Sequence, residues 1–126
     1  MLETLESYKT VAISDVTFWY KAAEISDLPI NGGVCIKYKN LQIALFSYNR
    51  KGAYYACQNL CPHKMEMVLG RGMIGDLDGV PKVACPLHKN NFSLESGGHL
   101  NGDLPSIAVY PTRIEDGWIY IGFKEA

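Results

Sequence analysis

The sequence contains no run approaching the ~18 apolar residues that a helical membrane span requires, and it has no Lys/Arg-rich tract. The first absence points away from a membrane protein. The second, with a formal net charge of -1, argues against nucleic acid, whose binding rests on clustered basic side chains neutralising phosphates. Met1 to Tyr20 lacks a basic segment followed by an apolar one, and Glu3, Glu6 and Asp15 interrupt what hydrophobicity there is. Secretion is therefore not expected, and a cytoplasmic setting is. Cysteine is scarce, with four residues, and in a reducing compartment these read as metal ligands or packed core residues and not as a disulfide framework. The one Gly-x-Gly-x-x-Gly match, Gly70 to Gly75, lies in a glycine-rich stretch and does not join a strand to a helix, so a nicotinamide nucleotide is not bound by the usual motif. Internal repeats, low-complexity tracts and a long amphipathic helix are also missing.

What is present is a 126-residue chain, 48% hydrophobic and 20% charged, the size of a single domain that needs no metal merely to fold. Residues 1–17 show no sustained period and read as an N-terminal extension packing on that domain. From Trp19 the pattern is that of a β-protein. A turn cluster at Leu28 to Gly33 leads into Val34 to Tyr38; Lys39-Asn40 separates this from Leu41 to Phe46; Arg50-Lys51-Gly52 turns the chain into Ala53 to Ala56. These three strands predict one sheet. Lys21 to Leu28 could supply a short helical segment at most. From about 57 to 100 the chain is rich in glycine and holds all three histidines, which marks a loop-rich inserted subdomain with two short strands, Val80 to Ala84 and Asn91 to Leu94. Ile107 to Tyr110 and Trp118 to Phe123, turning at Glu115-Asp116-Gly117, read as a closing hairpin. The fold expected is all-β, a sandwich or partly open barrel.

Cys61-Pro62-His63 and Cys85-Pro86-Leu87-His88 are two half-sites, each with one thiolate and one imidazole, separated by 21 residues. Both ligands of a loop can reach one metal centre, and the proline after each cysteine stiffens the turn. Two readings are open at this point. A Rieske-type 2Fe-2S cluster takes two thiolates on one iron and two neutral imidazoles on the other, which raises its potential above that of all-cysteine clusters. A tetrahedral zinc ion accepts the same four ligands, although zinc fingers usually keep cysteines in one half-site and histidines in the other.

These paired loops resemble those of Rieske proteins. The stretch Gly79 to Lys89, with Cys61 to Val68 and Arg71 to Asp76, is similar to the small subunit of assimilatory NAD(P)H nitrite reductase, and the likeness runs from Trp19 to about Phe123. The resemblance implies a Rieske 2Fe-2S cluster on Cys61, His63, Cys85 and His88. It also implies a large catalytic partner subunit that carries electrons from NAD(P)H through flavin to a sirohaem, where nitrite becomes ammonium. The small subunit is expected to be inactive alone. High-potential Rieske proteins carry an extra cysteine in each loop, and here the matching positions hold Glu66 and Leu87, so the bracing disulfide is absent. A serine and a tyrosine hydroxyl that donate towards the cluster in those proteins correspond to Asn90 and Phe92. A potential near the lower end of the Rieske range, roughly -150 mV, follows.

Two other functions stay open: a Rieske ferredoxin serving a ring-hydroxylating oxygenase, against which the long spacer weighs, and a non-redox module in which zinc or an empty site shapes a docking surface. Cys35 and Cys57 are expected in the core, and His99 is expected as an exposed turn residue without a metal role. Tyr54, Tyr55, Trp118 and Tyr120 read as core or sheet-face residues. Lys64 and Lys89 could meet an acidic partner or be plain surface lysines.

Overall fold

The computed structural model describes residues 7–48 and 52–125. Among them twelve strands and a few single 3-10 turns make up the regular structure, so the fold is all-β. β1 (Phe18–Glu24) pairs with β12 (Trp118–Phe123), which pairs in turn with β11 (Thr112–Glu115). The second sheet runs β10 (Val109–Tyr110), β4 (Ala53–Gln58), β3 (Leu41–Tyr48), β2 (Gly32–Tyr38), all antiparallel. These sheets do not close into a barrel.

β3 explains the layering. Its side chains alternate between two faces, and both faces are covered: Ile43 and Leu45 enter one core with Ile119, Ile121 and Phe123, while Ala44 and Phe46 enter a second with Val83, Phe92 and Ile107. A strand buried on both sides reads as a continuous apolar run, which is why Leu41 to Phe46 stands out in the sequence. The second core joins the main sheet to two smaller ones. These are the two-stranded pair β5 (Leu60–Cys61) with β6 (Glu66–Met67), and the three-stranded β7 (Met73–Leu77), β8 (Val80–Ala84), β9 (Asn91–Ser93).

Residues 7–17 lie against the main sheet. Tyr8 is buried, its hydroxyl accepts the Gln42 N–H at 3.1 Å, and Val11 N–H donates to Val109 O at 3.0 Å. The cation faces of Lys21 over Trp118 and Arg113 over Trp19 and Tyr120 cover the outer sheet, so these aromatics are sheet-face residues.

Three expectations are corrected. The segment predicted as helical at most, Lys21 to Leu28, is the end of β1 followed by a 3-10 turn at Ile25–Asp27; a register shift between Lys21 and Ala23 breaks the strand alternation there. Ile107 to Tyr110 is not half of the closing hairpin. Its end, β10, joins β4, and the hairpin partner of β12 is β11, because Pro111 separates the two strands and the chain changes sheets at that point. Three further strands, β5, β6 and β7, lie in the middle region beside the two expected. Of the turn placed at Arg50-Lys51-Gly52, Arg50 and Lys51 lie outside the described residues, and Gly52 has φ +61°.

Candidate metal centre

The first loop is a hairpin closed by the pairing of Cys61 with Glu66. Two flanking amides hold its base. Buried Gln58 donates from Nε2 to Leu60 O at 2.6 Å and accepts the Ala108 N–H on Oε1 at 2.7 Å. Asn59 accepts the Gly70 N–H on Oδ1 at 2.6 Å and donates from Nδ2 to Gln42 Oε1 at 3.1 Å. The second loop joins β8 to β9 and is closed by Cys85 N–H to Asn90 O at 2.8 Å and Lys89 N–H to Cys85 O at 2.9 Å. Both loops turn back through a left-handed residue four positions after the cysteine, Met65 at φ +56° and Lys89 at φ +56°.

The sequence pairs each cysteine with a histidine; the fold pairs like with like. Cys61 and Cys85 are each 1% exposed, and their thiols are close enough to act directly on one another's ionisation. The His63 and His88 rings are exposed and meet edge to face with centroids 4.6 Å apart and planes at 73°. Sulfur donors thus occupy the inner end of the site and imidazoles the outer end. Burial pushes the Cys61 thiol up to about 11; the His63 backbone N–H donated to its sulfur pulls the other way, and Cys85 beside it adds to the rise. A thiol so placed ionises when a cation takes the proton's position. Nε2 of His88 faces the Glu66 carboxylate at 3.6 Å, which leaves Nδ1 of that ring for a metal.

Among the described residues, no three His, Cys, Asp or Glu side chains gather round a single metal ion. A tetrahedral zinc ion needs all four donors at one point. Two sulfurs at one end and two imidazoles at the other fit a group with two metal atoms, one soft pair and one nitrogen pair.

The model of the Rieske-like 2Fe-2S domain matches residues 18–122. The chain belongs to the Rieske-like 2Fe-2S domain family. This Rieske chain is 46% identical over 91 residues to nitrite reductase, NAD(P)H, of Emericella nidulans, covering 68% of the chain but only 8% of that protein. It is 30% identical over 103 residues to the nitrite reductase (NADH) small subunit of Escherichia coli, covering 82% of the chain and 95% of that subunit. It is also 35% identical over 99 residues to the ferredoxin component of naphthalene 1,2-dioxygenase/salicylate 5-hydroxylase systems of a Ralstonia species, covering 78% of the chain and 88% of that protein. Among solved structures, the nitrite reductase NAD(P)H small subunit of Erwinia carotovora superposes with a TM-score of 0.72 at 30% identity, over 86% of this chain and 83% of that one.

Other expectations resolve individually. Cys57 is fully buried and its thiol is driven upward by that burial, which leaves it inert. Cys35 is exposed, not in the core: it lies on the same face of β2 as Lys37, β2 is the edge of its sheet, and its sulfur is 3.7 Å from Gln42 Oε1 and from Asn59 Nδ2. His99 is half-buried and stacked on Phe92 at 5.1 Å, with both ring nitrogens in hydrogen bonds, so it is no free turn residue. Lys64 and Lys89, each directly after one of the two histidines in the chain, are exposed. Gln58, Asn59 and Asn90, which support the loops, were not singled out as support by motif; their amides sit beside the ligand segments, and that adjacency was the available signal.

Proposed function

We propose that Cys61 and Cys85 hold the inner iron and His63 and His88 the outer iron of a Rieske 2Fe-2S cluster. In this reading the chain is the electron-transfer subunit of a cytoplasmic NAD(P)H-dependent nitrite reductase. The observation that carries the ligand assignment is the two-and-two division, buried sulfurs against exposed imidazoles. A bound cluster supplies one-electron redox chemistry. The protein's own part is to shield the thiolates from water, to fix the loops through Gln58 and Asn59, and to present the histidine edge at the surface, where a partner can approach. The second core, continuous from Ala44 and Phe46 to Val83 and Phe92, supports reading the region from about 57 to 100 as a cluster-binding subdomain within one unit.

The likeness to small subunits over nearly their whole length supports a large catalytic subunit with flavin and sirohaem as partner. No helix of the described residues is long and apolar enough to cross a membrane. A ring-hydroxylating oxygenase ferredoxin is the second reading, favoured by the Ralstonia likeness.

Anaerobically purified protein is expected to contain about two irons per chain and to give a Rieske electron paramagnetic resonance signal after dithionite. One zinc and no visible absorption would refute the cluster. His63→Ala and His88→Ala should each abolish the signal. Mixing with a sirohaem-flavin nitrite reductase subunit and NADH or NADPH should reduce the cluster; reduction only by an oxygenase-system reductase would favour the ferredoxin.

A further inference from the structure

Asn90 Nδ2 is a fully buried donor with no hydrogen-bond partner. Leaving a buried amide donor unpaired is costly, and native proteins rarely do it. The amide is not free to turn over and escape. Leu104 N–H donates to His99 Nδ1 at 2.9 Å, which makes that nitrogen the acceptor and places the ring proton on Nε2. Nε2–H then meets Asn90 Oδ1 at 3.2 Å. With the oxygen end held by His99, the amino end is turned away from it; a flipped amide would set donor against donor.

The ring that imposes this is itself seated from both sides. It stacks on buried Phe92 with planes at 29°, and Gly102 lies so close that a Cβ there would come within 2.5 Å of His99 Cε1. Asn90 closes the loop that carries Cys85 and His88, its carbonyl accepting the Cys85 N–H at 2.8 Å. The orphan donor therefore belongs to a residue at the foot of the second ligand loop, one whose backbone is bonded to that of the buried Cys85.

We propose that the Asn90 carboxamide donates an N–H···S hydrogen bond to a sulfur of the bound cluster, sulfide or thiolate, and that His99 is the positioning residue that aims it. Such a bond strengthens when the cluster takes up an electron, since the sulfurs become more negative, and it favours the reduced state. The electron is the only species transferred; the Asn90 protons stay on nitrogen. This inference rests on the cluster being held by Cys61, His63, Cys85 and His88.

The test is a redox titration of the cluster-loaded protein, followed by electron paramagnetic resonance, for wild type, Asn90→Ala, Asn90→Ser and His99→Phe. Asn90→Ala is expected to shift the reduced-to-oxidised ratio at fixed potential about tenfold towards oxidised, a drop of ~59 mV for one electron. Asn90→Ser, which keeps a donor, is expected to recover most of that. His99→Phe, which keeps the stack and loses both ring nitrogens, is expected to shift the ratio in the same direction by less. In pulsed resonance, protein labelled with 15N-asparagine should show one weak nitrogen coupling that Asn90→Ala removes. An intact Rieske signal in a variant reports that the ligand assignment stands, so a ratio changed less than twofold in Asn90→Ala under that signal overturns the Asn90 bond alone. If Asn90→Ala fails to load, unchanged potentials in both Asn90→Ser and His99→Phe with no asparagine coupling in wild type overturn it equally. Absence of any Rieske signal in wild type would instead overturn the ligand assignment.

Discussion

The Glu66 carboxylate lies 3.6 Å from Nε2 of His88, bridging the two ligand loops. A negative group beside an imidazole on the metal favours the less negative, oxidised state of the centre. Glu66→Gln is therefore expected to raise the reduction potential. Both side chains are about a third or more exposed, 32% and 42%, so water and salt screen the effect. An exposed pair of this kind contributes ~0.2–1 kcal/mol, or about 10–40 mV on a one-electron couple. Titration at low and high ionic strength checks it: the gap between wild type and Glu66→Gln should narrow with salt, and a lowered potential in the variant would contradict the argument.

Gln58 joins the first ligand loop to the main sheet through two buried hydrogen bonds, one to Leu60 O and one from Ala108 N–H. Gln58→Leu keeps the volume but orphans both backbone groups. The expected loss is about 2–4 kcal/mol of unfolding free energy, read from chemical denaturation of the apo protein. Because Leu60 precedes Cys61, iron should also leave the variant faster when a chelator is added. Wild-type stability together with wild-type iron release would show that the clamp does not hold the loop.

Two glycines with nearly equal φ separate conformational strain from steric collision. Gly79 has φ +84° and open space where a Cβ would go, whereas Gly97 has φ +83° and a Cβ there would lie 2.0 Å from Ile107 O. Gly79→Ala is expected to cost about 1–2 kcal/mol, the left-handed penalty alone. At Gly97 the backbone must also move, breaking the Ile107 N–H to Gly97 O bond of 2.8 Å, and Gly97→Ala is expected to cost more than about 3 kcal/mol. Equal thermal midpoints for the two variants would refute the contact argument.

The features visible in the sequence are those set by neighbours along the chain. Cys-x-His and Cys-x-x-His spacing, the apolar run of β3 and the turn signals around β12 are local, and the structure places them where the pattern predicts. The sorting of Cys61 with Cys85 and of His63 with His88 depends on how two loops from different sheets face each other, which no spacing encodes. His99 was misread for the same reason: its ring is held by Phe92 and Leu104, and only the β8–β9 fold brings the Asn90 amide to it. Cys35 is a different kind of miss. The alternation with Lys37 on the same face was present in the sequence, and the general tendency of cysteine towards burial overrode it.

The potential itself is expected in the lower part of the Rieske range, about -150 mV. Phe92 is fully buried and stacked on His99, and a phenyl ring donates no hydrogen bond. Leu87 is 53% exposed and Glu66 is a carboxylate, so no disulfide can tie the loops and stiffen the sulfur environment. Glu66 adds negative charge near the histidine end. Against these, Asn90 supplies one donor, and an amide aimed at sulfur raises the potential without restoring a second hydrogen bond. Phe92→Tyr would add a hydroxyl at that core position and is expected to move the potential upward if the ring keeps its place, at about 1–3 kcal/mol of packing strain. A wild-type value well above zero would mean that donors other than Asn90 reach the sulfurs, and the backbone N–H of His63, already directed at Cys61, would be the first to test by amide-to-ester replacement.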